Sequence, residues 1–158
     1  MSNKLVERLK IANASAPNAD IFANPTDVFL LKNYDKIVFA IFGVATTATG
    51  TVTVEECDDT TPTNSTAIAF TYYANTSADT SDDFGAATSA TASGFTTATS
   101  STYIYLIEVK ADQLSDGYPG VRLNFTAGGT GTVTGAILAI LGDARYEGDP
   151  NNMLTAIS

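Results

Sequence analysis

The chain of 158 residues contains no histidine and a single cysteine, Cys57. Histidine is the commonest general base and transition-metal ligand, so its absence excludes Ser-His-Asp and Cys-His catalysis. One cysteine cannot form a disulfide within the chain. The four carboxylates beside Cys57 in EECDD are expected to raise the pKa of its thiol and make it a poor nucleophile. We therefore predict that the protein is not an enzyme and has no catalytic residues.

Basic residues are also scarce: 8 Lys and Arg stand against 17 Asp and Glu, for a net charge of −9. An acidic surface repels phosphate, so nucleic acid is not an expected partner. The acidic clusters at 55–59 and 79–83 lack the spaced Asp and Gly of a calcium loop. We predict no metal site, no cofactor-binding residues and no cofactor.

Long apolar runs are absent too. No stretch approaches the roughly 20 apolar residues that a membrane helix needs. The first ten residues, MSNKLVERLK, are charged where a signal peptide would become apolar. The sequence therefore predicts a soluble protein with no membrane partner and no export signal.

What the sequence does contain is Val, Ile, Phe and Tyr alternating with Thr and Ser, a composition that favours strands. Three runs, at 36–44, 103–109 and 135–141, are apolar on both faces, as strands are when another sheet, a loop or another subunit covers the second side. We predict an all-β, single-domain β-sandwich or jelly roll of about seven or eight strands. The strand candidates are 28–31, 36–44, 51–56, 67–73, 103–110, 121–126 and 132–141.

A short helical or extended arm is predicted ahead of the sandwich. Leu5 and Leu9 lie four residues apart with Arg8 beside them, and Pro17 ends the segment. A helix this short is unstable alone, so we expect the arm to dock on another surface through the two leucines. The predicted division of the chain is an arm at 1–18, a sandwich at 19–146 and a C-terminal tail at 147–158.

Residues 74–102 form an excursion rich in Ala, Ser and Thr, with Phe84 and Phe95 as its only large apolar side chains. Its composition cannot support a core of its own. Two interpretations remain open: a mobile surface loop, or an arm attached through Phe84 and Phe95 to this subunit or to a neighbouring one.

Five segments taken in order resemble a family of small structural proteins of tailed bacteriophages. The most specific parts are the Lys-Ala-Asp-Gln-Leu turn at 110–114, which follows a strand, and the sequence Ala144-Arg145-Tyr146 near the end. The segments are KLVERL, FLLKNYDKIVFAIFGVA, TVTVEECDD, YIYLIEVKADQLSDGYPGVRLNF and GAILAILGDARYEGDP.

The resemblance implies a virion protein that decorates or cements the capsid exterior as a β-rich oligomer, with a homotrimer favoured. Its implied partners are the major capsid protein and further copies of itself, and it would be made in the host bacterial cytoplasm. Two alternatives are a neck or tail component, and a carbohydrate- or host-binding sandwich. The last needs exposed aromatic side chains, for which the candidates are Tyr72, Tyr73, Tyr103 and Tyr105. The candidate assembly contacts are Leu5, Arg8, Leu9, Phe84 and Phe95.

Overall fold

A computed structural model describes residues 4–16, 20–44, 47–129 and 131–145. The described chain folds into two antiparallel sheets of eleven strands in total, which confirms the predicted all-β sandwich. One helical turn, α1 (Leu5–Arg8), precedes the first strand, and short 3-10 turns cover Leu31–Asn33 and Ala111–Gln113.

The larger sheet has six strands, every one paired antiparallel with its neighbours. Its central strand is β3, which lies between β11 and β9. In spatial order the strands are β1 (Lys10–Asn13), β11 (Gly135–Ala144), β3 (Tyr34–Gly43), β9 (Tyr103–Lys110), β6 (Phe70–Asn75) and β7 (Thr88–Ala90).

The smaller sheet has five strands and is also antiparallel throughout. The chain enters and leaves it repeatedly, so that neighbours in sequence often lie in different sheets. In spatial order its strands are β2 (Phe29–Leu30), β10 (Gly120–Ala127), β4 (Gly50–Cys57) and β5 (Ser65–Ile68), with β8 (Phe95–Thr96) also paired to β4.

The core lies between the two sheets and is built by alternation along each strand. In β10, Val121 and Leu123 are fully buried while Arg122 and Asn124 lie on the other side, as the sequence pattern predicts. Burial of such side chains is worth about 1.5–3 kcal/mol each and is the main force that holds the sheets together. The largest fully buried side chains are Tyr34, Tyr103, Phe29, Phe39, Ile21, Leu31, Ile37, Ile41, Ile107, Leu123, Ile137 and Leu141.

The described chain has more strands than the seven or eight expected, for two reasons. The single strand predicted at 67–73 is two strands: β5 pairs with β4 and β6 pairs with β9, so the chain crosses between sheets at Ala69. In addition, β1, β7 and β8 were not predicted. These strands are two to four residues long, and so short a segment carries too little alternation to be recognised.

Part of the predicted arm at 1–18 belongs to the sandwich. Lys10–Asn13 is an edge strand paired with β11, and Ala14 is buried with its N–H donating to Ile137 O at 2.8 Å. Backbone hydrogen bonding to an open sheet edge therefore outweighs the weak helical pattern here. Residues 17–19 and the tail predicted for 147–158 lie outside the described residues.

The excursion at 74–102 is structured, and it belongs to both sheets through β7 and β8. The buried Asn75 side chain donates to Ser81 O at 2.8 Å and accepts from Ser77 N at 2.9 Å, which closes the turn after β6. Phe95 lies inside the sandwich, stacked on Tyr72 with ring centroids 4.0 Å apart. The excursion is therefore attached to its own subunit through Phe95, as the second interpretation allows, whereas Phe84 is 40% exposed and attachment to a neighbouring subunit stays a prediction.

Candidate functional site

The outer side of the six-stranded sheet is apolar, and we call it the apolar face. It consists of the side chains that alternate with core residues along five neighbouring strands. These are Ile11 of β1, Ala136, Leu138 and Ile140 of β11, Val38, Ala40 and Phe42 of β3, Ile104 and Leu106 of β9, and Tyr73 of β6.

The strand register arranges these side chains in continuous rows across the sheet. Ala40 of the central strand lies between Leu138 and Leu106, and Tyr73 is the next residue along the same row. Phe42 lies in the adjacent row, between Ala136 and Ile104. Because cross-strand neighbours are about 4.5–5.5 Å apart, the rows form one contiguous surface.

Several of these side chains are open to solvent. Ile11 is 57% exposed, Tyr73 43%, and Phe42 and Leu138 41% each. From outside the sheet, Leu9 lies close to Gly142 at one end of β11. The middle of the face is left uncovered by the described chain.

Charge on the apolar face is confined to one end. Glu108 and Lys110 of β9 lie there beside Lys36 of β3, whose ammonium group is 2.6 Å from a carboxylate oxygen of Asp143. The Asp143 carboxylate raises the pKa of Lys36 through this hydrogen bond and its charge. The four charges sum to zero, whereas the whole chain carries −9.

The outer side of the five-stranded sheet is polar by contrast. Glu55 of β4 accepts from Arg122 Nε at 2.9 Å and from Asn124 Nδ2 at 2.7 Å, both on neighbouring β10. Arg122 also donates to Ser65 Oγ of β5 at 3.3 Å. These polar groups bond to one another across three strands, so among the described residues this outer side is mainly polar, whereas that of the six-stranded sheet is mainly apolar.

The structure does not bring the five predicted contact residues together. Leu5 is 69% exposed on α1, where Arg8 is also exposed, whereas Leu9 is half-buried against its own sheet. Phe84 is 40% exposed in the segment between β6 and β7, and Phe95 is inside the sandwich. The sequence does signal the apolar face, through the strands that are apolar on both sides, but not which side of each strand faces outward.

The tyrosines considered for sugar binding do not form an exposed group. Tyr103 and Tyr105 are buried, and burial raises the pKa of Tyr103 to about 12. Tyr72 is half-buried under Phe95, which leaves Tyr73 as the exposed member of the four. A stacking platform for a sugar ring needs several exposed aromatic faces, so this arrangement does not favour the carbohydrate alternative.

Cys57 is fully buried at the end of β4. Burial is the largest cause that raises the pKa of its thiol to about 11; Arg122 opposes the shift, and Glu55, Asp58 and Asp59 add to it. The predicted direction of the shift is confirmed, although desolvation contributes more than the neighbouring carboxylates. A thiol of this kind is protonated at neutral pH and is inaccessible to substrates.

Outside the apolar face, the described residues offer little chemistry. No group of three His, Cys, Asp or Glu side chains in the described ranges could hold a metal ion. None of the helices that the structure describes is both long and apolar enough to cross a bilayer. A cleft lies beside the Ala111–Gln113 turn and is lined in part by Lys32, Leu114, Tyr118 and Arg145.

The comparisons with known proteins found no relatives. The chain matches no protein-family model, no curated protein sequence and no solved structure.

Proposed function

We propose that the protein is a structural component of a bacteriophage virion, a decoration or cement protein that binds the outer capsid shell as an oligomer, with a trimer favoured. The observation that carries this proposal is the apolar face, a sheet surface that the described residues leave uncovered, on a chain that is acidic overall. Large exposed apolar patches mark interaction sites in soluble proteins.

The segments that resemble phage structural proteins support the same proposal. Three of them supply β3, β9 and β11, the three strands that form the middle of the apolar face. A chain whose central strands are apolar on both sides is suited to permanent assembly, because the second side is buried only when subunits or shell cover it.

The experiment that tests the proposal is the copy number of the chain in purified particles of the phage that encodes it, measured by quantitative mass spectrometry. A decoration protein is present at a number comparable with that of the major capsid protein. A few copies per particle would place it at the neck or tail instead. Absence from the particles would overturn the virion assignment altogether.

The cement role is tested by removing the chain from phage heads and adding it back. Phage heads that lack the chain are expected to disassemble at a lower temperature than complete heads. Adding the purified chain is expected to restore the disassembly temperature of complete heads. This follows because a ligand that binds only the assembled shell must stabilise it. Heads whose stability does not respond to the chain would contradict the cement role.

A further inference from the structure

We propose that the apolar face is covered by a second copy of this chain. The inference rests on the proposed function for the expectation that the chain self-associates, and it names the surface through which copies meet. Because a face that packs on the same face of another copy has two-fold symmetry, it replaces the favoured trimer with a dimer. Three observations support a second copy as the occupant: the charge on the face, its area, and the alternation of large and small side chains on it.

Charge is the first observation. Each copy carries −9, so two copies repel each other across most orientations. On the apolar face, however, Lys36 and Lys110 balance Asp143 and Glu108, and among the described residues the only further charges near this end are Asp112 and Asp35, the second of which pairs with Arg145. The polar outer side differs, because Arg122 there is already paired with Glu55 at 2.8 Å. Contact through the apolar face brings two acidic chains together where the local charge is close to neutral.

The area of the face is the second observation. Five strands at about 4.8 Å spacing give a width of about 24 Å, and three rows of side chains about 6.7 Å apart give about 20 Å along the strands. The projected area is therefore roughly 500 Å² per copy, and two copies bury roughly 1,000 Å² together. This total is about the minimum of roughly 1,000 Å² expected of a biological interface, below the roughly 1,200–2,000 Å² of stable complexes, so the pairing of two copies is expected to be weak.

The alternation of large and small side chains on the face is the third observation. Small side chains lie between large ones: Ala40 between Leu138 and Leu106, and Ala136 beside Phe42. A sheet with this alternation packs well on another sheet, because large side chains of one enter the depressions of the other at a sheet separation of about 10 Å.

The test uses the full chain and three variants. Leu138→Glu places a charge in the middle row of the face, and Ile11→Glu places one on the edge strand at a 57% exposed position where it does least harm to folding. Thr126→Glu is the matched control, since it makes the same charge change at an exposed position on the polar outer side. Sedimentation velocity from 1 to 100 µM, roughly the range that separates weak from stable association, gives the oligomeric state, and circular dichroism reports folding.

The wild-type chain and Thr126→Glu are expected to be oligomeric, and both face variants are expected to be folded with self-affinity weakened at least about 100-fold, since like charges then oppose each other in a desolvated interface. If Leu138→Glu unfolds, Ile11→Glu decides. A monomeric wild-type chain would overturn the inference, and so would face variants that associate as well as the control does.

Binding to heads that lack the chain separates this inference from the proposed function. A monomeric wild-type chain that binds heads, and loses binding on Leu138→Glu, would show that the shell itself covers the face; the inference then fails and the decoration role stands. An oligomer that depends on the face but never binds heads leaves the inference standing and contradicts the decoration role.

Discussion

Tyr103 lies directly across from Gly43 on neighbouring strands of the six-stranded sheet, and its ring covers the glycine. A β-carbon at residue 43 would be 2.4 Å from two atoms of that ring, far inside van der Waals contact. The absence of a side chain at one position is therefore what allows the tyrosine at the other to be 1% exposed.

Gly43→Ala is accordingly expected to destabilise the protein by about 1–3 kcal/mol, the usual effect of overpacking a core. Urea unfolding at pH 7 measures the change. Gly129→Ala is the control, because a β-carbon there meets nothing within 4 Å and the residue does not have positive φ. Equal stability of the two variants would contradict the steric account.

The two buried tyrosines of β9 are expected to respond oppositely to loss of their hydroxyl groups. Tyr105 Oη accepts from Ala98 N at 2.9 Å, whereas within the described residues Tyr103 Oη makes no hydrogen bond of good geometry, although the side chain of Thr97 is near enough to lower its pKa. Tyr103→Phe should leave stability unchanged or raise it by up to about 1 kcal/mol, and Tyr105→Phe should lower it by about 1 kcal/mol. Thermal unfolding of both variants tests this, and an equal loss in both would show that Tyr103 is paired.

Stability is expected to fall on the alkaline side. Burial raises the pKa of Cys57 from 9.0 to about 11 and that of Tyr103 from 10.0 to about 12. Both groups stay neutral in the folded chain and ionise more readily once unfolded, so their contribution is complete below pH 9 and is lost between about pH 9 and 12. Unfolding free energies across pH 7–11 test the prediction. Tyr103→Phe should flatten the upper part of the curve, and an unchanged slope would exclude its role.

Replacing the two phenylalanines of residues 74–102 is expected to change the unfolding free energy by different amounts. Phe95 is half-buried against Tyr72, Phe70 and Tyr105, so Phe95→Ala should cost about 2–3 kcal/mol of stability, less than the loss of a fully buried ring. Phe84 is 40% exposed, and Phe84→Ala should leave the unfolding free energy within about 0.5 kcal/mol of wild type. Denaturant unfolding measures both effects. A large loss with Phe84→Ala would mean that it too belongs to the core.

Much of the fold could be predicted because alternation along a strand is a local property. The pattern of Val121, Leu123 and their polar neighbours is visible in six letters of sequence, and the structure has the same faces. The strands β1, β7 and β8 could not be predicted in this way. They are held by backbone hydrogen bonds to β11, β6 and β4, and those bonds place no requirement on side chains that a sequence pattern would reveal.

The candidate site, like the fold, could be predicted from the sequence only in part. By itself the sequence determined that β3, β9 and β11 are apolar on both sides, that the chain is acidic and that histidine chemistry is excluded. Only the tertiary structure decided that Phe39 and Ile137 face the core while Phe42 and Leu138 face outward, and that the outward residues of five strands form one face. The reason is physical: the side on which a residue lies repeats every two residues, whereas the neighbour of a strand is set by pairing between residues far apart in the chain.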